Sequence, residues 1–175
     1  YLRNVRKQID LYREENLPLF KELKLKENEY ASITSNLEIV YQGNTLTLQQ
    51  ANKFLKNPDR NVREEVYRLI AARRHAEQQK LEDLFDELLK LRHQVALNAG
   101  FENYRDYMFQ ALGRFDYTPK DCYDFATAIE KEIVPILKEQ AEKRKEALDL
   151  TALKPWDLEV STTGKAALKP FQNGE

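Results

Sequence analysis

The stretch NVREEVYRLIAARRHAEQQKLEDLFDELLKLRHQVALNA, residues 61–99, decides the fold class. It holds no proline and no glycine, and Gly100 follows it where a helix C-terminal cap belongs. Leu81, Leu84, Leu88, Leu91 and Val95 step by three and four in turn, the period of one helix face. Val62, Val66 and Leu69 set the same stripe upstream. One helix over the whole stretch would run roughly 55–60 Å at about 1.5 Å per residue. No single small core needs such a rod, whereas a wall or lever in a larger assembly does.

Upstream, Leu2, Val5, Ile9 and Tyr12 recur at helical spacing, and Asn16 and Pro18 interrupt them. Pro18 fits only the first turn of a new helix, whose apolar face is Leu19, Phe20, Leu23 and Tyr30. Residues 36–41 alternate like a strand, Gly43-Asn44 reads as a tight turn, and Thr45-Leu46-Thr47 returns. An isolated hairpin is marginal in water, so this one must lean on helices. Thr47 and Gln50 have capping-box spacing and open a short helix that ends before Pro58.

Downstream, Asn103 starts a short aromatic helix through Ala111, and residues 113–118 form a loop. Thr118-Pro119-Lys120-Asp121 is a helix start: a hydroxyl cap, a proline at the first position and a carboxylate at the positive end. Phe125, Ile129, Ile133 and Ile136 mark the expected buried face, and Pro135 is expected to kink this helix against the carbonyl of Lys131. The pattern fades near Leu148. Residues 153–157 read as a loop, 158–160 as a short strand, and the rest as irregular. The fold class expected is mostly α, with long antiparallel helices and one small β-hairpin.

The bulk composition narrows the function. Lys plus Arg is 28 and Asp plus Glu is 29 over 175 residues, a net charge of −1 with alternating signs. No basic stripe marks a nucleic-acid binder, and no apolar run reaches the roughly 18 residues of a membrane span. The single cysteine, Cys122, rules out an internal disulfide, and with no secretory signal the expected compartment is the cytoplasm.

Candidate chemistry is sparse. The two histidines, His75 and His93, are 18 positions apart and have no zinc-ligand spacing; both read as helix-surface residues. On one continuous helix they would stand roughly 27 Å apart on one side. Glu64-Glu65, Glu82-Asp83 and Asp86-Glu87 are adjacent pairs that suit a solvated face. Cys122 lies in the first turn after Thr118, where the helix dipole lowers a thiol pKa, yet a small buried hydrophobe is the expected role. No phosphate-binding glycine loop and no Gly-x-Ser-x-Gly elbow occurs. Eight aromatics, Phe101, Tyr104, Tyr107, Phe109, Phe115, Tyr117, Tyr123 and Phe125, crowd one region. They are expected to form a core where three helices meet; the rival role is a surface against another domain or the wall of a peptide channel.

Five segments, in order, carry a resemblance: residues 57–64 (NPDRNVRE), 100–104 (GFENY), 113–119 (GRFDYTP), 133–137 (IVPIL) and 153–158 (LKPWDL). With matching spacing, they resemble the region before the catalytic part of the oligoendopeptidase F-type zinc peptidases, relatives of thimet oligopeptidase. The resemblance covers nearly the whole chain, best from Leu37 to Leu158. It implies a mostly helical, two-lobed peptidase around a deep channel, cutting short peptides in the cytoplasm. In that family one zinc is held by His-Glu-x-x-His and a further glutamate, and the motif's glutamate acts as general base on the zinc-bound water.

None of those ligands occurs in the 175 residues. The expected site assignment for this chain is therefore none: no catalytic, cofactor-binding or metal-binding residue. Arg114 and Tyr117 match the family pattern and are expected to fix the loop between two helices rather than touch substrate. Residues 1–160 are expected to form a single helical N-terminal segment, and 161–175 an irregular extension toward an absent catalytic domain. The parent would be a zinc metalloendopeptidase, with this part inactive alone and binding no zinc. Its expected partners are short peptide substrates, with no nucleic acid and no membrane, and the segment is expected to self-associate through exposed apolar surface. The alternative is a free-standing helical interaction module that uses the 81–95 stripe as a seam.

Overall fold

The computed structural model describes residues 1–164. Its elements run α1 (Leu2–Leu11), α2 (Asn16–Ser35), β1 (Glu38–Tyr41), β2 (Asn44–Thr47), α3 (Leu48–Asn52), α4 (Arg60–Ala76), α5 (Gln78–Asn98), α6 (Tyr104–Ala111), α7 (Pro119–Glu132) and α8 (Val134–Ala147). Short 3-10 turns cover Lys53–Lys56 and Pro155–Asp157. The fold is mostly α with one antiparallel hairpin, as the periodicities predict. The chain divides into two compact units: residues 1–37 with 74–133, and 38–73 with the part from 134 on.

In the first unit α2 and α5 are antiparallel partners. Asn16 at the start of α2 meets Val95 near the end of α5, and Lys26 pairs with Glu87 further back. Leu23 and Ile33 of α2 bury against Leu84, Leu88, Val95 and Ala96 of α5, with Tyr107 of α6 closing the cluster. Each leucine, isoleucine or valine side chain there, fully buried, contributes about 1.5–3 kcal/mol before entropy is counted. Asn16, read from sequence as an interruption, is the first helical residue and wholly buried. Its Nδ2 donates to the Val95 carbonyl at 3.1 Å, and its Oδ1 accepts from Asn98 Nδ2 at 2.8 Å. A buried amide is tolerated because both its ends are satisfied.

In the second unit the hairpin leans on helices. Ile39 and Tyr41 point inward from β1 and pack with Ala51 of α3 and with Val66 and Ile70 of α4. The turn sits one residue earlier than expected, on Gln42-Gly43, with φ of 50° and 76°. Two consecutive positive φ values make the mirror-image turn that matches strand twist, so Asn44 becomes the first residue of β2, opposite Tyr41. The capping box of α3 forms in both directions, Thr47 N to Gln50 Oε1 at 2.9 Å and Gln50 N to Thr47 Oγ1 at 3.2 Å.

Several expectations fail. The rod over 61–99 is two helices, interrupted at Glu77, whose φ and ψ are −100° and 3°. The one stripe accordingly serves two cores: Val66 lies in the second and Leu84 to Val95 in the first. Pro135 stands in the first turn of α8, so the chain breaks at Ile133 rather than kinking within one helix. A proline in a first turn lacks only an N–H that would be unpaired anyway, which makes a fresh start cheaper than a bent helix. Residues 158–160 form no strand, and residues 155–157, read as a loop, form a 3-10 turn. The apolar face expected over residues 125–136 is helical on both sides of the break but not buried: Phe125, Ile133 and Ile136 are all exposed, and Ile129 is barely covered.

Candidate functional site

The titratable residues singled out from sequence stay apart. His75 and His93 are exposed and lie on different helices, α4 and α5. Glu64 pairs with Arg68, Glu82 accepts from Gln78, Asp83 from Gln79, and Glu87 pairs with Lys26. Among the described residues no group of three or more His, Cys, Asp or Glu stands close enough to hold a metal, so the residues present do not fit the zinc site that the resemblance implies. Cys122 is exposed rather than buried.

The aromatic region splits in two. Phe101 meets Tyr107 edge-on at 5.7 Å, Tyr104 stacks on Tyr107 at 5.8 Å, and these rings join the first core. Burial pushes the phenols of Tyr104 and Tyr107 above their ordinary range. Tyr117, Tyr123 and Phe125 are exposed. Arg114 lies over the Phe109 ring at 5.0 Å, and Tyr117 meets the same ring edge-on at 5.4 Å. Phe109 therefore gathers both loop residues that match the family pattern.

The densest polar cluster was missed from sequence. Asp157 is wholly buried in the second unit and accepts from two arginines of α4. Arg60 reaches Oδ1 and Oδ2 with Nε and Nη2 at 3.0 and 2.8 Å, and Arg63 Nη2 reaches Oδ1 at 2.9 Å. The Lys154 amide adds a fourth donor at 3.0 Å. Burial alone would raise the carboxyl, but the hydrogen bonds from Arg60, Arg63 and the Lys154 amide outweigh it and hold it at about 2. Arg63 also donates to the carbonyls of Asn57, Pro58 and Trp156 at 2.8, 2.9 and 2.9 Å. Arg144 of α8 donates to the carbonyls of Asp157 and Val160. The motif segments 57–64 and 153–158, far apart in sequence, are thus tied together. Trp156 packs on Tyr67 and under Arg68, and its Nε1 is buried without a partner among the described residues. Every charged group here is used up by a neighbour, which suits fastening rather than chemistry. The sequence signal was present, two arginines three apart after a proline and one Trp-Asp pair, but nothing in it joins the two.

The model of peptidase family M3 matches residues 53–173, more than half of the chain. The chain belongs to peptidase family M3. Among solved structures, PZ peptidase A with an inhibitor is similar at 25% identity and a TM-score of 0.85, over 89% of this chain and 28% of that one. A protein assigned as an oligoendopeptidase F is similar at 22% identity and a TM-score of 0.87, over 90% and 28%. Another so assigned, from Bacillus anthracis, is similar at 19% identity and 0.85, over 90% and 29%. The chain thus spans somewhat over a quarter of the length of these M3 relatives. Comparison with curated proteins finds no match. Among the described residues no helix is long and apolar enough to cross a membrane.

Proposed function

We propose that this chain is the non-catalytic helical portion of a cytoplasmic zinc metalloendopeptidase of family M3 that cuts short peptides. The observation that carries the reading is the family match over 53–173 combined with the fraction of each relative covered: a similar fold over about nine-tenths of this chain, and over little more than a quarter of theirs. Zinc and the residues that activate water would then be supplied from outside these 175 residues, since neither histidine here has ligand spacing. In this reading α5, the longer part of the helical stretch 61–99, would form one wall of the peptide channel. Residues 161–175 would lead toward the catalytic part.

The rival reading, a free-standing module with a seam along residues 81–95, loses its surface. Leu84, Leu88 and Val95 are buried inside the first unit's core and are not available to a partner.

The test is cleavage of a quenched fluorescent peptide by this chain alone and by the longer reading frame that contains it. The expected result is no turnover by the chain alone, and turnover abolished by a chelator in the longer protein. Chelator-sensitive cleavage by the 175 residues themselves would overturn the assignment.

A further inference from the structure

A cavity of about 340 Å³ opens between α6 and α7 in the first unit. Met108 and Phe109 of α6 and Leu112 just after it supply the apolar part of its lining, and Arg105, Arg114 and Tyr123 the polar part. The two arginines differ in state. Arg105 donates to Asp106 Oδ1 at 2.8 Å and to the Tyr123 hydroxyl at 3.1 Å, so its charge is already met. Arg114 has only the Phe109 ring, 5.0 Å from its guanidinium carbon, and no carboxylate among the described residues pairs with it. A guanidinium is charged at any working pH and prefers a carboxylate gripped through two parallel N–H groups. The lining therefore combines apolar surface with one uncompensated positive charge. At this volume the cavity stands at the low end of the roughly 300–1,000 Å³ typical of ligand sites, room for one bulky residue rather than a run of chain.

We propose that the α6–α7 cavity binds the C-terminal residue of a peptide when that residue is aromatic or branched aliphatic. Its free carboxylate pairs with Arg114, and its side chain lies against Phe109, Leu112 and Met108. The choice of a peptide as ligand rests on the peptidase reading above; the charge and the apolar lining do not.

The single cysteine supplies the readout. Cys122 is exposed and lines the same cavity, so its alkylation rate reports occupancy. The 175-residue chain is treated with iodoacetamide in the presence of N-acetyl-Ala-Ala-Phe as the free acid, as its C-terminal amide, or of N-acetyl-Ala-Phe-Asp amide, whose only carboxylate is a side chain. The expected result is severalfold slower alkylation with the free acid at saturation and little change with the other two. Arg114→Gln should abolish the protection while leaving the melting temperature near that of the parent, because this side chain is exposed. Leu112→Glu, which places a carboxylate at the cavity, should abolish it as well. Equal slowing by the amide shows an apolar cavity without carboxylate recognition and overturns the proposal. Equal slowing by the aspartate peptide overturns the terminal assignment, and no slowing by any peptide overturns the site itself. No cleavage is read, so failure here leaves the peptidase reading intact, and failure of the cleavage assay leaves this binding result standing.

Discussion

Asp157 accepts hydrogen bonds from Arg60, Arg63 and the Lys154 amide while wholly buried. Its carboxylate offsets Arg63, whose side chain is 4% exposed, and removing that charge strands a buried guanidinium. Breaking a buried pair in this way costs about 3–5 kcal/mol, and Asp157→Asn should fall near the lower end because Arg60 reaches solvent. Chemical denaturation measures the loss. The same residue sets an acid limit. Its pKa falls from 3.8 to about 2 on folding, so its contribution is fully present above roughly pH 5 and is lost as the pH drops toward 2. The parent chain should lose stability over that window, and Asp157→Asn should show a flatter acid limb; identical limbs would deny the ion pair its role. The arginines and the aspartate were visible in the sequence, but their pairing over more than ninety positions was not, because separation in sequence carries no sign of contact.

At the scale of elements, the starts and stops proved more legible than the faces. Thr47, Asn103 and Thr118 each cap the helix they were expected to open. The end of α5 is a six-residue cap: Phe101 N donates to Ala96 O and Gly100 N to Leu97 O, both at 2.9 Å. Gly100 takes φ of +85° there with open space around its missing Cβ. Gly100→Ala should therefore cost about 1–2 kcal/mol from backbone strain alone, without a steric clash. A thermal scan showing no loss would mean that the cap rearranges. The interruption at Glu77 escaped prediction because no glycine or proline marks it.

For the whole molecule, the exposed apolar faces matter most. Phe125, on a face whose apolar spacing had pointed to burial, is 68% exposed, and Ile9 of α1 is 69% exposed. Surface of this kind seeks cover, and the chain by itself should self-associate in a concentration-dependent way. Sedimentation should show species larger than a monomer, and Ile9→Lys combined with Phe125→Lys should shift them toward the monomer with little change in melting temperature. A monodisperse monomer from the parent sequence would contradict this.

The sequence by itself determined what is local: helix period, caps, the hairpin, and the order of motif segments that marks family M3. Those signals lie within a few residues of each other and follow from backbone geometry. Only the tertiary structure decided which apolar stripes find a partner, that Asn16 is a buried strut, and that Asp157 joins Arg60 and Arg63. Burial and ion pairing depend on which surfaces meet, and a stripe reads the same whether it faces a core or open solvent.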